Sequence, residues 1–188
     1  MASLLGKELA RIAKIGAGGS IAFLLSCAIA GCAGRSAESS TPTSASTAQQ
    51  DFTARGLDGS NVRLSDHLGK RVIMIDFWST YCQPCLAMFP HVKRIQETYK
   101  DRGFVVLAIS MDPPETMANV PAYAQRNGLQ GLRVLYDEDS HIASLYNPKK
   151  VEPFIVVIDK AGRVVKTHEG FNSGDEILLN EAVRAAVQ

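Results

Sequence analysis

Two nearly continuous apolar runs constrain the fold of this 188-residue chain more than any other feature. They are RVIMIDFW (71–78) and GFVVLAIS (103–110), and their length and branched residues are typical of strands that are buried on both faces. Between the runs, apolar residues recur at helical spacing from Gln83 to about Tyr99. A strand, a helix and a strand in this order predict a βαβ unit with parallel strands and a right-handed crossover.

The sequence on either side of this unit predicts the rest of one α/β domain, a central mixed sheet with helices on both faces. Turn signals at Asp58-Gly59 and at 159–162 each indicate a β-hairpin. Between 112 and 152 the sequence predicts a helix kinked near Pro121, then a short strand and a short helix. A closing helix is expected after the cap residue Ser173. Its buried stripe is predicted to contain four apolar residues: Ile177, Leu178, Val183 and Val187.

The first 50 residues predict export and a membrane anchor. Basic residues up to Lys14 precede the uncharged stretch IGAGGSIAFLLSCAIAG (15–31), which is typical of a secretory signal and shorter than the ~20 residues of a membrane span. IAGC (29–32) resembles the lipobox of bacterial lipoproteins, which implies removal of residues 1–31 and lipidation of Cys32. LLSC, ending at Cys27, is a poorer second candidate. Residues 32–50 are rich in Ser, Thr and Ala and predict a flexible tether to a folded domain at 51–188.

The cysteines then predict one dithiol in an oxidising compartment. Of four cysteines, Cys27 would be removed and Cys32 would carry lipid, so the folded domain keeps Cys82 and Cys85. We therefore expect a domain outside the cytoplasm, anchored to the membrane on the periplasmic side of the cell envelope. A net charge of +1 gives no electrostatic reason to expect nucleic acid as a partner.

The spacing Cys82-x-x-Cys85 beside a βαβ unit is typical of a redox dithiol. Cys82 falls where the helix after the first strand begins, and unpaired N–H groups at a helix start stabilise a thiolate. Since the thiolate is the attacking species in disulfide exchange, Cys82 is the better nucleophile. Cys85, one turn along the helix, is expected to be more buried and suits the second step of the exchange.

Three segments carry a resemblance to a known family. LSDHLGKRVIMIDFWSTYCQPCLAMFP (64–90), VVLAISMDPPE (105–115) and VEPFIVVIDKAGRVV (151–165) resemble the thioredoxin superfamily, and more closely its exported TlpA/ResA-like branch. The length between 110 and 153 fits the helix-and-strand insert of that branch. The resemblance implies a thioredoxin-like fold with an N-terminal β-hairpin and a central αβ insert.

The resemblance also implies roles for four residues. Cys82 matches the nucleophilic cysteine and Cys85 the resolving cysteine, so the two form a redox disulfide. Asp76 matches the buried acid that takes and returns the proton of the second cysteine. Because burying a lone carboxylate is costly, its burial favours a functional role. Pro153 matches a proline that takes a cis bond opposite the dithiol and keeps nearby backbone groups free for an incoming peptide.

Five further positions support or depart from the family pattern. Trp78 matches the aromatic residue before the active-site loop, and Pro84 the proline between the cysteines. Tyr81 replaces the usual tryptophan, and Met88 stands where some members have a glutamate. Glu152 precedes Pro153, where small or branched residues are commoner, and its carboxylate is expected to raise the pKa of the Cys82 thiol.

The leading interpretation is a membrane-anchored thiol–disulfide oxidoreductase without a cofactor. The resemblance implies that it reduces disulfides in exported proteins, such as those whose cysteines bind haem or copper. It also implies an upstream membrane thiol donor, and we expect a monomer. The sequence itself fixes neither the client nor the direction of electron flow.

Several alternatives stay open. Two thiolates with a histidine or methionine could hold Cu(I), as in a copper metallochaperone. A thiol peroxidase is a further possibility, although Ile75 occupies the place of its expected proline. A zinc site would lack a second ligand pair, and a purely structural disulfide would close too short a loop to stabilise much. The candidate histidine ligands, each also readable as a surface polar residue, are His67, His91, His141 and His168.

Overall fold

The computed structural model describes residues 50–188. The predicted signal peptide (1–31), the predicted tether up to residue 49 and the predicted lipidation of Cys32 lie outside the described residues. No helix within residues 50–188 combines the length and the apolar content that a membrane crossing requires.

Seven strands and five helices form the described domain, and they confirm the predicted mixed α/β fold. The strands are β1 (Thr53–Arg55), β2 (Asn61–Arg63), β3 (Val72–Trp78), β4 (Phe104–Ser110), β5 (Arg133–Tyr136), β6 (Phe154–Ile158) and β7 (Val164–Glu169). The helices are α1 (Gln83–Tyr99), α2 (Pro114–Met117), α3 (Val120–Arg126), α4 (His141–Tyr146) and α5 (Asp175–Ala186). β1 and β2 form a separate antiparallel hairpin, and the other strands form one sheet in the order β5-β4-β3-β6-β7.

The middle of this sheet is the predicted βαβ unit. β3 pairs with β4 in parallel, β4 pairs with β5 in parallel, and β6 and β7 run antiparallel to their neighbours. Every residue of β3 and β4 is buried, because helices or the hairpin cover both faces. Consecutive side chains of β3 point to opposite faces, so Ile73 packs in the core on the hairpin and α4 side, and Met74 in the core beneath α1 and α5.

Three details of the predicted helices are wrong. The kinked helix after residue 112 is two helices, and Pro121 lies in the first turn of α3, where its missing N–H breaks no helical hydrogen bond. Helix α5 is capped by Gly174 rather than Ser173. Ile177 and Leu178 are 58% and 47% exposed, so they are not part of the buried stripe. The buried apolar residues lie four apart: Leu179 and Val183 in α5, and Val187 directly after its last residue.

The register of α5 predicts a sharp difference between two adjacent leucines. Leu179→Ala is expected to lower the free energy of unfolding by about 2–5 kcal/mol, because it leaves a cavity in the core under α1 and α5. Leu178→Ala is the matched control and is expected to change it by no more than about 0.5 kcal/mol, because that side chain is half exposed. Urea unfolding of both variants measures the difference, and equal losses would contradict the register.

Candidate active site

Cys82 and Cys85 lie at the start of α1 and are joined by a disulfide with a Cα–Cα distance of 5.4 Å. Cys82 is the N-cap residue, and its sulfur accepts a hydrogen bond from the Cys85 N–H at 3.2 Å. Pro84 lies in the first turn, where a missing N–H costs nothing. Cys82 is 6% exposed and Cys85 is fully buried, so Cys82 is the one of the two with any surface to offer an external disulfide. The positive end of α1 would stabilise a thiolate there after reduction.

Asp76 lies in the middle of β3 and is fully buried. Its neighbours in the sheet are the apolar residues Ala108 and Ile155, and neither carboxylate oxygen has a hydrogen-bond partner among the described residues. Burial raises the pKa of Asp76 from its usual value of 3.8 to about 7. Near neutral pH this side chain can therefore either hold or accept a proton.

Pro153 lies beside the end of the strand that leads to the dithiol. The Glu152–Pro153 peptide bond is cis. Phe154 pairs with Phe77, so the strand register places Pro153 next to Trp78. The Pro153 carbonyl accepts a hydrogen bond from the Gly170 N–H at 2.9 Å. The backbone N–H and C=O of Glu152 have no partner within residues 50–188, which leaves an edge that an extended peptide could join.

A family model described as the AhpC/TSA family matches residues 46–167. The chain belongs to this family. Thiol-disulfide oxidoreductase ResA of Geobacillus kaustophilus is 32% identical over 127 residues, which cover 68% of this chain and 70% of that protein. ResA of Halalkalibacterium halodurans is 29% identical over 120 residues, which cover 64% of this chain and 65% of that protein.

Solved structures of a thiol:disulfide interchange protein and of a thioredoxin also resemble this chain. A Chlorobium tepidum protein assigned as thiol:disulfide interchange protein DsbE superposes with a TM-score of 0.68 at 31% identity, covering 74% of this chain and 95% of that chain. The exposed lipoprotein thioredoxin Etrx1 of Streptococcus pneumoniae superposes with a TM-score of 0.59 at 31% identity, covering 69% and 96%. The predicted class, a thiol–disulfide oxidoreductase of thioredoxin-like fold, is thus confirmed at the level of the family.

The aromatic residues predicted near the dithiol have different surroundings. Trp78 is fully buried, stacks on Tyr123 at a ring-centroid distance of 5.7 Å and meets Phe89 edge-on at 5.4 Å. It belongs to the same apolar cluster as both cysteines, so it forms part of the packing beneath them. Tyr81 is 58% exposed, so its ring can contact a partner protein.

Met88 and the histidines do not add ligands to the dithiol. Met88 packs in the core beneath α1 and α5. His91 contacts Phe171, and His168 lies 3.1 Å from a carboxylate oxygen of Asp175. Within residues 50–188, no three His, Cys, Asp or Glu side chains come together in an arrangement that could hold a metal ion. Among the described residues, a copper ion would therefore have to rely chiefly on the two cysteines.

Three polar residues that sequence reasoning missed hold the loops around the site. Asn147 is 1% exposed, and its side chain bonds both the N–H of Val151 at 3.2 Å and the C=O of Val151 at 2.8 Å. It thereby fixes the loop that presents Glu152. Ser79 and Asp112, both buried, hold the loop that leads to Cys82. The available signal was their position: Ser79 and Asp112 follow the carboxyl ends of two adjacent parallel strands, which meet at one sheet edge.

Proposed function

We propose that this chain is a membrane-anchored oxidoreductase that reduces disulfides in exported proteins through Cys82 and Cys85. The observation that carries the proposal is the arrangement of two cysteines at a helix start, of which Cys82 keeps 6% exposure and Cys85, one turn away, is fully buried. The names of the relatives favour thiol–disulfide exchange over the copper-binding and peroxidase alternatives.

In the first step, the Cys82 thiolate attacks one sulfur of a client disulfide. A bond forms between Cys82 and the client, the client disulfide breaks, and one client thiolate leaves. The unpaired backbone of Glu152 would hold the client chain beside Cys82 by main-chain hydrogen bonds. Pro153 donates no N–H and so leaves that edge open, and Tyr81 adds an exposed aromatic surface.

In the second step, Cys85 releases the client. Its thiol gives a proton to the Asp76 carboxylate, and the resulting thiolate attacks the Cys82 sulfur. The Cys82–Cys85 disulfide forms, the mixed disulfide breaks, and the second client thiolate leaves. The client gains two electrons and the dithiol loses two, so an upstream thiol donor must return them before the next cycle.

We infer that the clients are exported proteins whose cysteines must be reduced before they bind haem or copper. Domain 51–188 would act outside the cytoplasm, joined by the tether 32–50 to a lipid on Cys32 after removal of residues 1–31. The similar Etrx1 of Streptococcus pneumoniae, an exposed lipoprotein thioredoxin, is a precedent for such an arrangement. Mass spectrometry of the mature N-terminus tests the anchor, and a mature chain without lipid on either Cys32 or Cys27 would contradict it.

The direction of electron flow follows from the reduction potential of the dithiol. We expect a value close to that of thioredoxin, about −270 mV, measured in dithiothreitol and glutathione redox buffers. The measurement uses the full-length chain with Cys27→Ser and Cys32→Ser, which leaves Cys82 and Cys85 as its only thiols. A value near that of the oxidant DsbA, about −120 mV, would instead make this protein a disulfide donor.

A further inference from the structure

Two carboxylates flank the short segment that leads into Cys82. The first is Glu152, from the loop before β6. Its Oε2 accepts a hydrogen bond from the Ser79 hydroxyl at 2.5 Å, and Ser79 is fully buried. The Ser79 carbonyl in turn accepts the Cys82 N–H at 3.2 Å. One residue therefore connects the carboxylate of Glu152 to the backbone of the attacking cysteine.

The second carboxylate is Asp112, from the loop after β4, and it holds the next residue of the segment. Its Oδ2 accepts the Thr80 N–H at 3.0 Å, and its Oδ1 accepts the Thr80 hydroxyl at 2.5 Å. The hydroxyls of Ser110 and Thr116 donate to the same carboxylate at 3.0 and 2.9 Å. Asp112 is 2% exposed, and these four donors offset the cost of burying it.

We propose that Glu152 and Asp112 clamp Ser79 and Thr80 from opposite sides and thereby set the reactivity of the Cys82 thiol. Both are positioning residues for the exchange reaction, and the proposal rests on the proposed function. The clamp fixes the backbone at Cys82 against the start of α1. It also holds negative charge next to that segment, which disfavours the Cys82 thiolate and so favours the disulfide over the dithiol. The result is a stronger reductant.

The charges around the segment are of one sign. Glu152 and Asp112 interact electrostatically with each other and with Tyr81 beside Cys82, and Asp112 also interacts with Tyr123 from α3. Asp76 from β3 precedes the segment in the sequence, and Cys85 lies in the first turn of α1, which has no acidic residue. Among the described residues, no lysine, arginine or histidine forms an ion pair with Glu152 or Asp112. Burial raises the pKa of Glu152, the bond from Ser79 opposes this, and the charge of Asp112 adds to it.

The test compares the thiol pKa and the reduction potential of four full-length variants in the Cys27→Ser, Cys32→Ser background. Glu152→Gln keeps a hydrogen-bond acceptor for Ser79 but removes the charge. We expect a lower pKa of the Cys82 thiol, read from thiolate absorbance, and a threefold to tenfold shift of the equilibrium with dithiothreitol toward the dithiol, or roughly 15–30 mV. Ser79→Ala frees Glu152 without removing its charge and is expected to shift the same equilibrium less.

Two further variants keep the test decisive. Thr80→Val removes one hydrogen bond to Asp112 and is expected to shift the potential without unfolding the domain. Glu181→Gln removes an exposed charge on α5 and serves as the control. If Glu152→Gln, Ser79→Ala and Thr80→Val all match Glu181→Gln in potential and thiol pKa, the clamp is overturned, even if their urea midpoints differ. If the parent protein exchanges no disulfide at all, it is the proposed function that fails.

Discussion

Cys82→Ser is expected to abolish disulfide reduction, with a loss on the order of 10³-fold or more in the rate of client reduction. Cys82 lies at the N-terminal end of α1, and Cys85, one turn further along the helix, is fully buried. A serine hydroxyl in place of Cys82 cannot form the mixed disulfide, because it stays protonated near neutral pH and has no sulfur to exchange. The assay is reduction of a peptide with a single disulfide, followed by mass spectrometry.

The companion variant Cys85→Ser separates the two steps. It keeps the nucleophile but lacks the resolving thiol, so it is expected to accumulate a covalent adduct of one client per chain on Cys82. The adduct is measured as an added client mass that dithiothreitol removes. Because the disulfide closes a very short loop, neither variant is expected to unfold the domain. Turnover by Cys85→Ser, together with an adduct on Cys82→Ser, would reverse the assigned order of attack.

The centre of the fold could be predicted because its sequence pattern has one physical solution. The run Val72–Trp78 is apolar on both faces except for Asp76, and its length and branched residues favour a strand covered on both sides. The dithiol could be predicted for a similar reason, since Cys82 and Cys85 are local to one helix start. The N-terminal hairpin depends on a local turn at Asp58-Gly59 and is also confirmed.

The register of α5 could not be predicted, because the local pattern fits two choices. Leu178 and Leu179 are adjacent and equally apolar, and only packing against α1 and the sheet distinguishes them. The partner of Ser79 is also set by tertiary structure. Ser79 meets Glu152 across 73 residues of sequence, and no local pattern specifies that pair. Residues that hold a site in place are therefore harder to predict than residues that do its chemistry.

Asp76→Asn is expected to change both the stability of the protein and the second step of exchange. Between about pH 4 and 7 the unfolded chain has lost the Asp76 proton while the folded protein keeps it, so stability falls as pH rises through this window and levels off above it. The total penalty is about 4 kcal/mol, since each pKa unit corresponds to about 1.4 kcal/mol. Urea unfolding of the oxidised protein should show this decline for the wild type and a flatter profile for Asp76→Asn.

Asp76→Asn removes this stability penalty, but it is expected to slow the reaction. Asparagine cannot accept the proton of Cys85, so release of the client from the mixed disulfide is expected to slow by about 10²-fold above pH 7. In the wild type the release rate should rise as the pH passes through about 7, the pKa of Asp76, and the variant should lack that rise. Rapid-quench analysis of the mixed disulfide measures the step directly.

The matched control for Asp76→Asn is Asp159→Asn. Asp159 is also a buried carboxylate, 8% exposed, but it pairs with Arg163 in the β6–β7 turn, at the far end of β6 from Pro153. Desolvation raises the pKa of Asp159, but the hydrogen bonds and charge of Arg163 outweigh it, so the net shift is downward. Asp159→Asn should therefore weaken the turn without removing the pH dependence of client release. A rise through about pH 7 that persists in Asp76→Asn would mean that another group accepts the proton. A more stable but kinetically unchanged variant would make Asp76 a buried charge without a part in the reaction.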